Sequence, residues 1–306
     1  MVISKDTCKI AVVQGAPVMF NKDECIKKAL KYIDECAANG AELVVFPELF
    51  IPGYPYGMTF GYTVGSRTAA GRKDWKVYYD NSILADGEEM QMIVDAAVKY
   101  GLYISIGYSE KDSTTATLYN SNMMISPTGE KLNHRKLKPT GSERVVWGDA
   151  NKDYFPVMET PWGPMGSLIC WESYMPLARV ALYQKGISIY ISANTNDNPE
   201  WQNTIRHIAI EGHCVFINAD LFFTKDMYPE TYSAQEEIAR LNDIVCRGGS
   251  CVIDPFGHEA SETVWDKEAI IYAEVNMQDV PASRMEHDAC GHYARPDVLD
   301  LAVLDE

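Results

Sequence analysis

Short runs of apolar, largely β-branched residues alternate along the chain with longer stretches whose apolar positions recur every three or four residues. The first run, residues 8–14, stops at Gly15-Ala16-Pro17 and reads as a buried strand. In the stretch that follows, Ile26, Ala29, Leu30, Ile33 and Ala37 share one helical face. Asn21 and Glu24 are spaced as a capping box, and Gly40 sits where a C-terminal cap belongs. Residues 42–46 form a second strand, ended by Pro47-Glu48. Beyond a long aromatic, glycine-rich stretch, Ile93, Val94, Ala97 and Val98 mark another helix and residues 103–107 a third strand. Residues 119–125, the turn Ser126-Pro127-Thr128-Gly129 and residues 130–134 predict a hairpin.

The second half repeats this order with different residues. It predicts a strand at 166–170, a helix at 176–185, a strand at 187–193, a helix at 199–212 and a strand at 214–219. A second hairpin is expected to close it, with 250–253 leading through Asp254-Pro255-Phe256-Gly257 and 269–275 returning. Strand-helix-strand units with short connections pair in parallel under helical cover, and hairpins add antiparallel strands. No Pro/Gly/Ser linker divides the halves near residue 150. The expectation is an α/β chain folded as one domain, residues 1–306, with two sheets face to face and helices outside.

Composition narrows the function. The 306 residues are 46% hydrophobic and 23% charged, as in ordinary globular chains, which argues against disorder and coiled coil. Lys plus Arg total 27 against 43 Asp plus Glu, a net charge of −16 that repels phosphate and speaks against nucleic-acid or anionic-membrane partners. No apolar run reaches the ~18 residues of a membrane span, and the N-terminus lacks a signal-peptide pattern, so a cytoplasmic protein is expected. The eight cysteines contain no Cys-x-x-Cys pair and read as reduced thiols. Neither zinc-ligand spacing nor a Walker or dinucleotide glycine pattern occurs, so no metal or cofactor is expected.

In open α/β sheets ligands lie off the carboxyl ends of strands, where Glu48 and Cys170 both fall. A thiol at a strand-to-helix turn faces the positive end of the coming helix, which lowers its pKa and exposes the sulfur. Such a cysteine is either a nucleophile or a small buried hydrophobe. Glu48, after an apolar strand, is either a surface acid or a buried one whose raised pKa suits proton transfer. His134-Arg135-Lys136-Leu137-Lys138 is a basic strand edge from which one lysine could point inward, and alternation puts Lys136 and Lys138 on the same face. Glu143 by itself reads as a surface residue. The scattered histidines offer no Cys-His pair.

Together these segments resemble a known family. Phe46-Pro47-Glu48, the run from His134 to Thr140, Gly141-Ser142-Glu143-Arg144 with Trp147-Gly148, and Cys170-Trp171-Glu172 with the residues up to Arg179 are similar to motifs of the nitrilase superfamily of carbon-nitrogen hydrolases. The segment from Gly291 to Val298 adds to the match, and the Cys-Trp-Glu triplet resembles the nitrilase branch more than the amidase branches. The resemblance covers nearly the whole chain, in order. It implies a four-layer αββα sandwich and a Glu48-Lys136-Cys170 triad with Glu143 as second carboxylate. The implied substrate is a small nitrile, cleaved to acid and ammonia, and a homodimer or higher homo-oligomer is implied as well. An amidase with the same triad is the alternative.

The sequence departs from the family pattern at Asp149-Ala150-Asn151-Lys152-Asp153, where a Gly-Asp-Gly loop is common. Tyr54, Trp147, Trp171 and Trp201 are candidates for an aromatic wall around an apolar nitrile, although an aromatic is more often a core residue than a ligand contact.

Overall fold

The structure, a computed structural model, describes residues 2–196 and 198–304. Its first half runs β1 (Thr7–Gln14), α1 (Lys22–Ala38), β2 (Leu43–Val45), β3 (Tyr62–Thr63), β4 (Ser66–Arg67), α2 (Ala69–Asn81), β5 (Ile83–Leu84), α3 (Glu88–Tyr100), β6 (Tyr103–Lys111), β7 (Leu118–Ile125) and β8 (Lys131–Arg135). The second half runs β9 (Val157–Met158), β10 (Met165–Ile169), α4 (Pro176–Gln184), β11 (Ile189–Asn194), α5 (Trp201–Gly212), β12 (Val215–Asp220) and β13 (Phe222–Thr224). It continues through α6 (Gln235–Ile238), β14 (Ile244–Ile253), β15 (Val264–Trp265), β16 (Ala269–Asn276) and α7 (Asp279–Ser283).

Local chemistry accounts for these boundaries. Asn21 caps α1 by accepting from the Glu24 N–H, and the buried Cys25, Ile26, Ala29, Ile33 and Cys36 form its inner face. Helix α3 ends at Gly101 in the left-handed conformation that glycine adopts without strain. Helix α2 was not predicted: its exposed face is charged, and its N-cap Thr68 accepts from the Gly71 N–H.

One sheet has the order β16-β1-β2-β6-β7-β8, with β5 beside β6; the other has β13-β14-β12-β11-β10-β9, with β15 beside β14. Within each, three successive strands are parallel, β1-β2-β6 in one and β10-β11-β12 in the other. The expected closing hairpin is corrected. Strand β16 crosses to the first sheet and pairs antiparallel with β1 from Thr7↔Asn276 to Gln14↔Ala269, while β14 takes β12, β13 and β15 as partners. The buried Ile271, Ala273 and Val275 of β16 thereby join the core between the sheets.

Three apolar clusters separate four layers. Ala11, Val13, Val44, Ile104 and Ile106 of the first sheet pack on α1 and α3. Ile10, Val12, Leu43 and Val45 face Ile189, Ile191, Val215 and Ile217 of the second sheet. Leu168, Tyr190 and Phe216 turn outward onto α4 and α5. This is the αββα sandwich, and burial on both faces explains why its parallel strands are continuous apolar runs. Polar ties cross between the sheets: Asn122 Nδ2 on β7 donates to Ser167 Oγ on β10 at 3.0 Å. Among the described residues no helix is long and apolar enough to cross a membrane.

Candidate active site

The carboxyl ends of β2 and β10 bring residues from both sheets to one edge of the sandwich. Glu48 follows β2, and its segment lies against β6, with Ile51 N–H donating to Gly107 O and Ser109 N–H to Ile51 O. A Cβ on Gly107 would lie 2.3 Å from Pro47 O and 2.8 Å from Glu48 Cα, so the close backbone approach requires glycine there. Leu49, directly after Glu48, has φ +50°, a strained conformation of the kind concentrated at functional sites.

Lys136 lies one residue past β8, held by its N–H to Asn120 O at 2.8 Å. Its Nζ donates to Glu48 Oε1 at 2.8 Å and to Glu143 Oε2 at 2.9 Å and Oε1 at 3.2 Å. The strand has ended at Arg135, so alternation no longer applies. Lys136 is buried, whereas Lys138 pairs with Asp149 at the surface. Glu143, buried in the 3₁₀ turn Gly141–Val145, also accepts from the Thr140 N–H and the Tyr54 hydroxyl, both at 2.7 Å.

Cys170 directly follows β10, has φ +52° and opens the 3₁₀ turn Cys170–Tyr174. The sharp turn sends its side chain into a cavity of about 590 Å³ whose lining includes Glu143, Tyr54, Trp147 and Trp171. Glu48 and Lys136 lie behind this surface.

The electrostatics differ from the sequence expectation in one respect. Helix α4 begins only at Pro176, beyond the 3₁₀ turn, and Cys170 is buried. Burial therefore dominates and pushes the thiol well above its usual pKa, with Glu48 adding to the rise and Lys136 opposing it. Burial also raises Glu48, against the pull of Lys136 and with a further push from Glu143. Burial acts to lower the Lys136 ammonium, but Glu48, Cys170 and Glu143 outweigh it and the pKa rises. The resting site thus holds a fixed cation, a neutral thiol and a carboxylate of increased basicity.

Two residues escaped the sequence reading. Asn120 Nδ2 donates to Glu48 Oε1 at 2.7 Å, and the buried Glu48 Oε2 has no hydrogen-bond partner among the described residues. Glu172 accepts from the Ile169 and Leu137 N–H groups and from His134 Nε2. Glu172 was visible in the sequence only as part of the Cys-Trp-Glu triplet, and Asn120 only as a polar residue in a predicted strand.

The aromatic candidates divide. Tyr54, Trp147 and Trp171 line the cavity, Trp171 at its half-exposed rim. Trp201 is corrected: it is fully buried in the core beneath α5, donates Nε1–H to Asn218 Oδ1 at 2.9 Å, and is not among the lining residues. As the first residue of α5 it faces the sheet.

An αββα sandwich carrying a thiol, an ammonium and two carboxylates defines a class of hydrolase. Residues 9–285 match the family model for carbon-nitrogen hydrolases, and the chain belongs to that family. It is 40% identical over 302 residues to an aliphatic nitrilase of Sinorhizobium fredii, covering 97% of this chain and 96% of that one. It is 38% identical over 302 residues to Nitrilase 1 of Arabidopsis thaliana, covering 97% and 87%. Among solved structures, Nit3 of Saccharomyces cerevisiae, a nitrilase-superfamily member, shares the fold with a TM-score of 0.74 at 19% identity, covering 96% of this chain and 98% of that one.

Proposed function

We propose that this chain is a nitrilase that converts an organic nitrile to the carboxylic acid and ammonia through covalent intermediates on Cys170. The observation that carries this reading is the Lys136 ammonium shared between Glu48 and Glu143 behind the cavity into which Cys170 projects.

Glu48 takes the Cys170 proton as the sulfur bonds to the nitrile carbon, and that proton passes to the nitrogen, giving a thioimidate. Water, deprotonated by Glu48 and oriented by Glu143, adds to the same carbon, and Glu48 returns that proton to the nitrogen. The hydroxyl so formed then gives its proton to the nitrogen by way of Glu48 as its C=O forms and the C–N bond breaks, so that ammonia leaves and a thioester remains. A second water cleaves the C–S bond, returning the thiol and releasing the acid. One nitrile and two waters balance one acid and one ammonia. Lys136 stabilises negative charge at the reacting carbon's substituents, together with a backbone N–H near Trp171. Because the ammonium stays protonated, its charge is in place at every step.

Tyr54, Trp147 and Trp171 support an apolar nitrile as substrate. The contribution of both sheets to one site supports a single catalytic domain. The exposed Trp171, Tyr174, Met175 and Leu177 before and on α4, with Ile210 on α5, support assembly into a homodimer or larger homo-oligomer. The absence of disulfides among the eight cysteines agrees with a cytoplasmic location.

The test is intact-protein mass spectrometry after a nitrile pulse, with ammonia release followed in parallel. A covalent adduct on Cys170 and its loss in Cys170→Ser are expected, with turnover falling by about 10³-fold or more. Ammonia from the matching primary amide and none from the nitrile would assign an amidase instead.

A further inference from the structure

A second cavity, of about 630 Å³, adjoins the catalytic one and shares Tyr62, Val145, Val146 and Trp147 with it. Its charged lining residues are Arg72, Lys76 and Arg144, and no acidic side chain lines it. In a chain of net charge −16 an acid-free basic pocket runs against the composition.

The pocket is rigidly built. Arg72, Trp75 and Lys76 occupy the i, i+3 and i+4 positions of α2 and so share one face. The opposite face is pinned. The buried Asp74 carboxylate accepts from Ser233 N–H, and the Tyr78 hydroxyl donates to Gly53 O at 3.0 Å. Gly71 packs so closely on Phe60 that a Cβ would lie 2.0 Å from its carbonyl oxygen. Helix α2 is therefore locked to the 53–60 segment, which also bounds the catalytic cavity.

The cations are not equally engaged. Lys76 is neutralised by both carboxylate oxygens of Asp80 at 2.6 Å. Arg144 spends Nε–H on Pro139 O at 2.9 Å and has no carboxylate partner among the described residues. The Arg72 guanidinium has no ion-pair or hydrogen-bond partner among the described residues. Two guanidinium forks with open donors suit a carboxylate, which each can bind through paired N–H groups. Trp75 and Trp147 add apolar walls.

We infer that this pocket receives the carboxylate of a nitrile that carries one at the far end of an apolar body, with the cyano group at Cys170 and the chain running past Tyr62 and Val145. The inference rests on the nitrilase function and specifies its substrate class.

The test uses a series of straight-chain ω-cyanocarboxylates of increasing length, each paired with its methyl ester, and reads the ratio of kcat/KM between acid and ester by ammonia release. The wild-type enzyme is expected to prefer the acid once the chain is long enough to reach between the cavities. Arg72→Gln should lower that preference about tenfold, through KM, and Arg72→Lys should restore part of it. Added salt should weaken the wild-type preference. Hydrolysis of the esters with no preference for the acid at any length, or a preference untouched by Arg72→Gln, overturns the subsite and leaves the nitrilase assignment standing. No ammonia from any pair, or from a simple nitrile, overturns both.

Discussion

The carboxylate of Glu172 accepts the backbone N–H of Leu137 at 2.6 Å, so the residue two places beyond Cys170 grips the residue directly after Lys136. The same side chain accepts from Ile169 N–H at 2.7 Å and meets His134 Nε2 at 2.9 Å, shielded from solvent. Cys170 and Lys136 come from different sheets, and Glu172 makes the ends of their strands one hydrogen-bonded unit.

Removing that acceptor strands the buried Ile169 N–H and the half-buried Leu137 N–H. Glu172→Ala is expected to cost about 3 kcal/mol of stability, read from the midpoint of chemical denaturation, and to lower turnover by disordering the site. Glu172→Gln keeps one acceptor oxygen and should fall between. A wild-type midpoint for Glu172→Ala would show that the contact contributes nothing.

The pH profile should report Glu48. Below its pKa the carboxyl is protonated and cannot accept the Cys170 proton, so kcat/KM falls as pH falls. Because burial raises that pKa, the acid limb should lie above the ordinary Glu value of about 4.3. The raised Lys136 keeps its charge, so no loss from that group is expected below pH ~10. Asn120→Ala removes a hydrogen bond that favours the ionised carboxylate. The acid limb should move to higher pH and kcat should fall about tenfold. A limb unmoved by Asn120→Ala would separate it from Glu48.

What was legible in the sequence follows the range of the forces involved. Strands β1, β2 and β6 announce themselves as apolar runs, and α1 as a periodic face with Asn21 at its cap, because both signals are local. The destination of β16 was not legible, since alternation states which face a strand buries and not which strand it joins. Glu48 and Cys170 could be picked out by their position at strand ends. The choice of Lys136 over Lys138 needed the family resemblance, because it depends on where β8 stops. The thiol's pKa went the other way because burial is a property of the whole fold, whereas the nearby helix start is visible in the sequence.

Trp201 and Trp147 offer a direct comparison. Trp201→Phe loses the bond to Asn218 and part of a fully buried ring, which should cost about 1–3 kcal/mol while leaving KM unchanged. Trp147 lines the cavity and stacks obliquely on Tyr54 with ring centroids 5.9 Å apart. Trp147→Phe should therefore raise KM, by about tenfold for an apolar nitrile. Steady-state kinetics beside thermal denaturation separates the two effects, and a raised KM in Trp201→Phe would return that residue to the substrate wall.

Gly107 tests how tightly the fold positions the base. An added methyl would meet Pro47 O at 2.3 Å, Leu49 N at 2.7 Å and Glu48 Cα at 2.8 Å, all backbone atoms that cannot rotate away. Gly107→Ala must displace the segment carrying Glu48, and a shift near 1 Å in a reacting group costs on the order of 10²-fold in rate. Gly87→Ala is the control. At the N-cap of α3, its new methyl would meet nothing nearer than the Glu89 carboxylate and Leu84 Cβ, both at 3.2 Å. Ammonia release should fall steeply in Gly107→Ala and stay near wild type in Gly87→Ala, with circular dichroism confirming that both fold. Equal rates in the two variants would mean that the Glu48 segment yields without consequence, and that its approach to β6 does not set the position of the base.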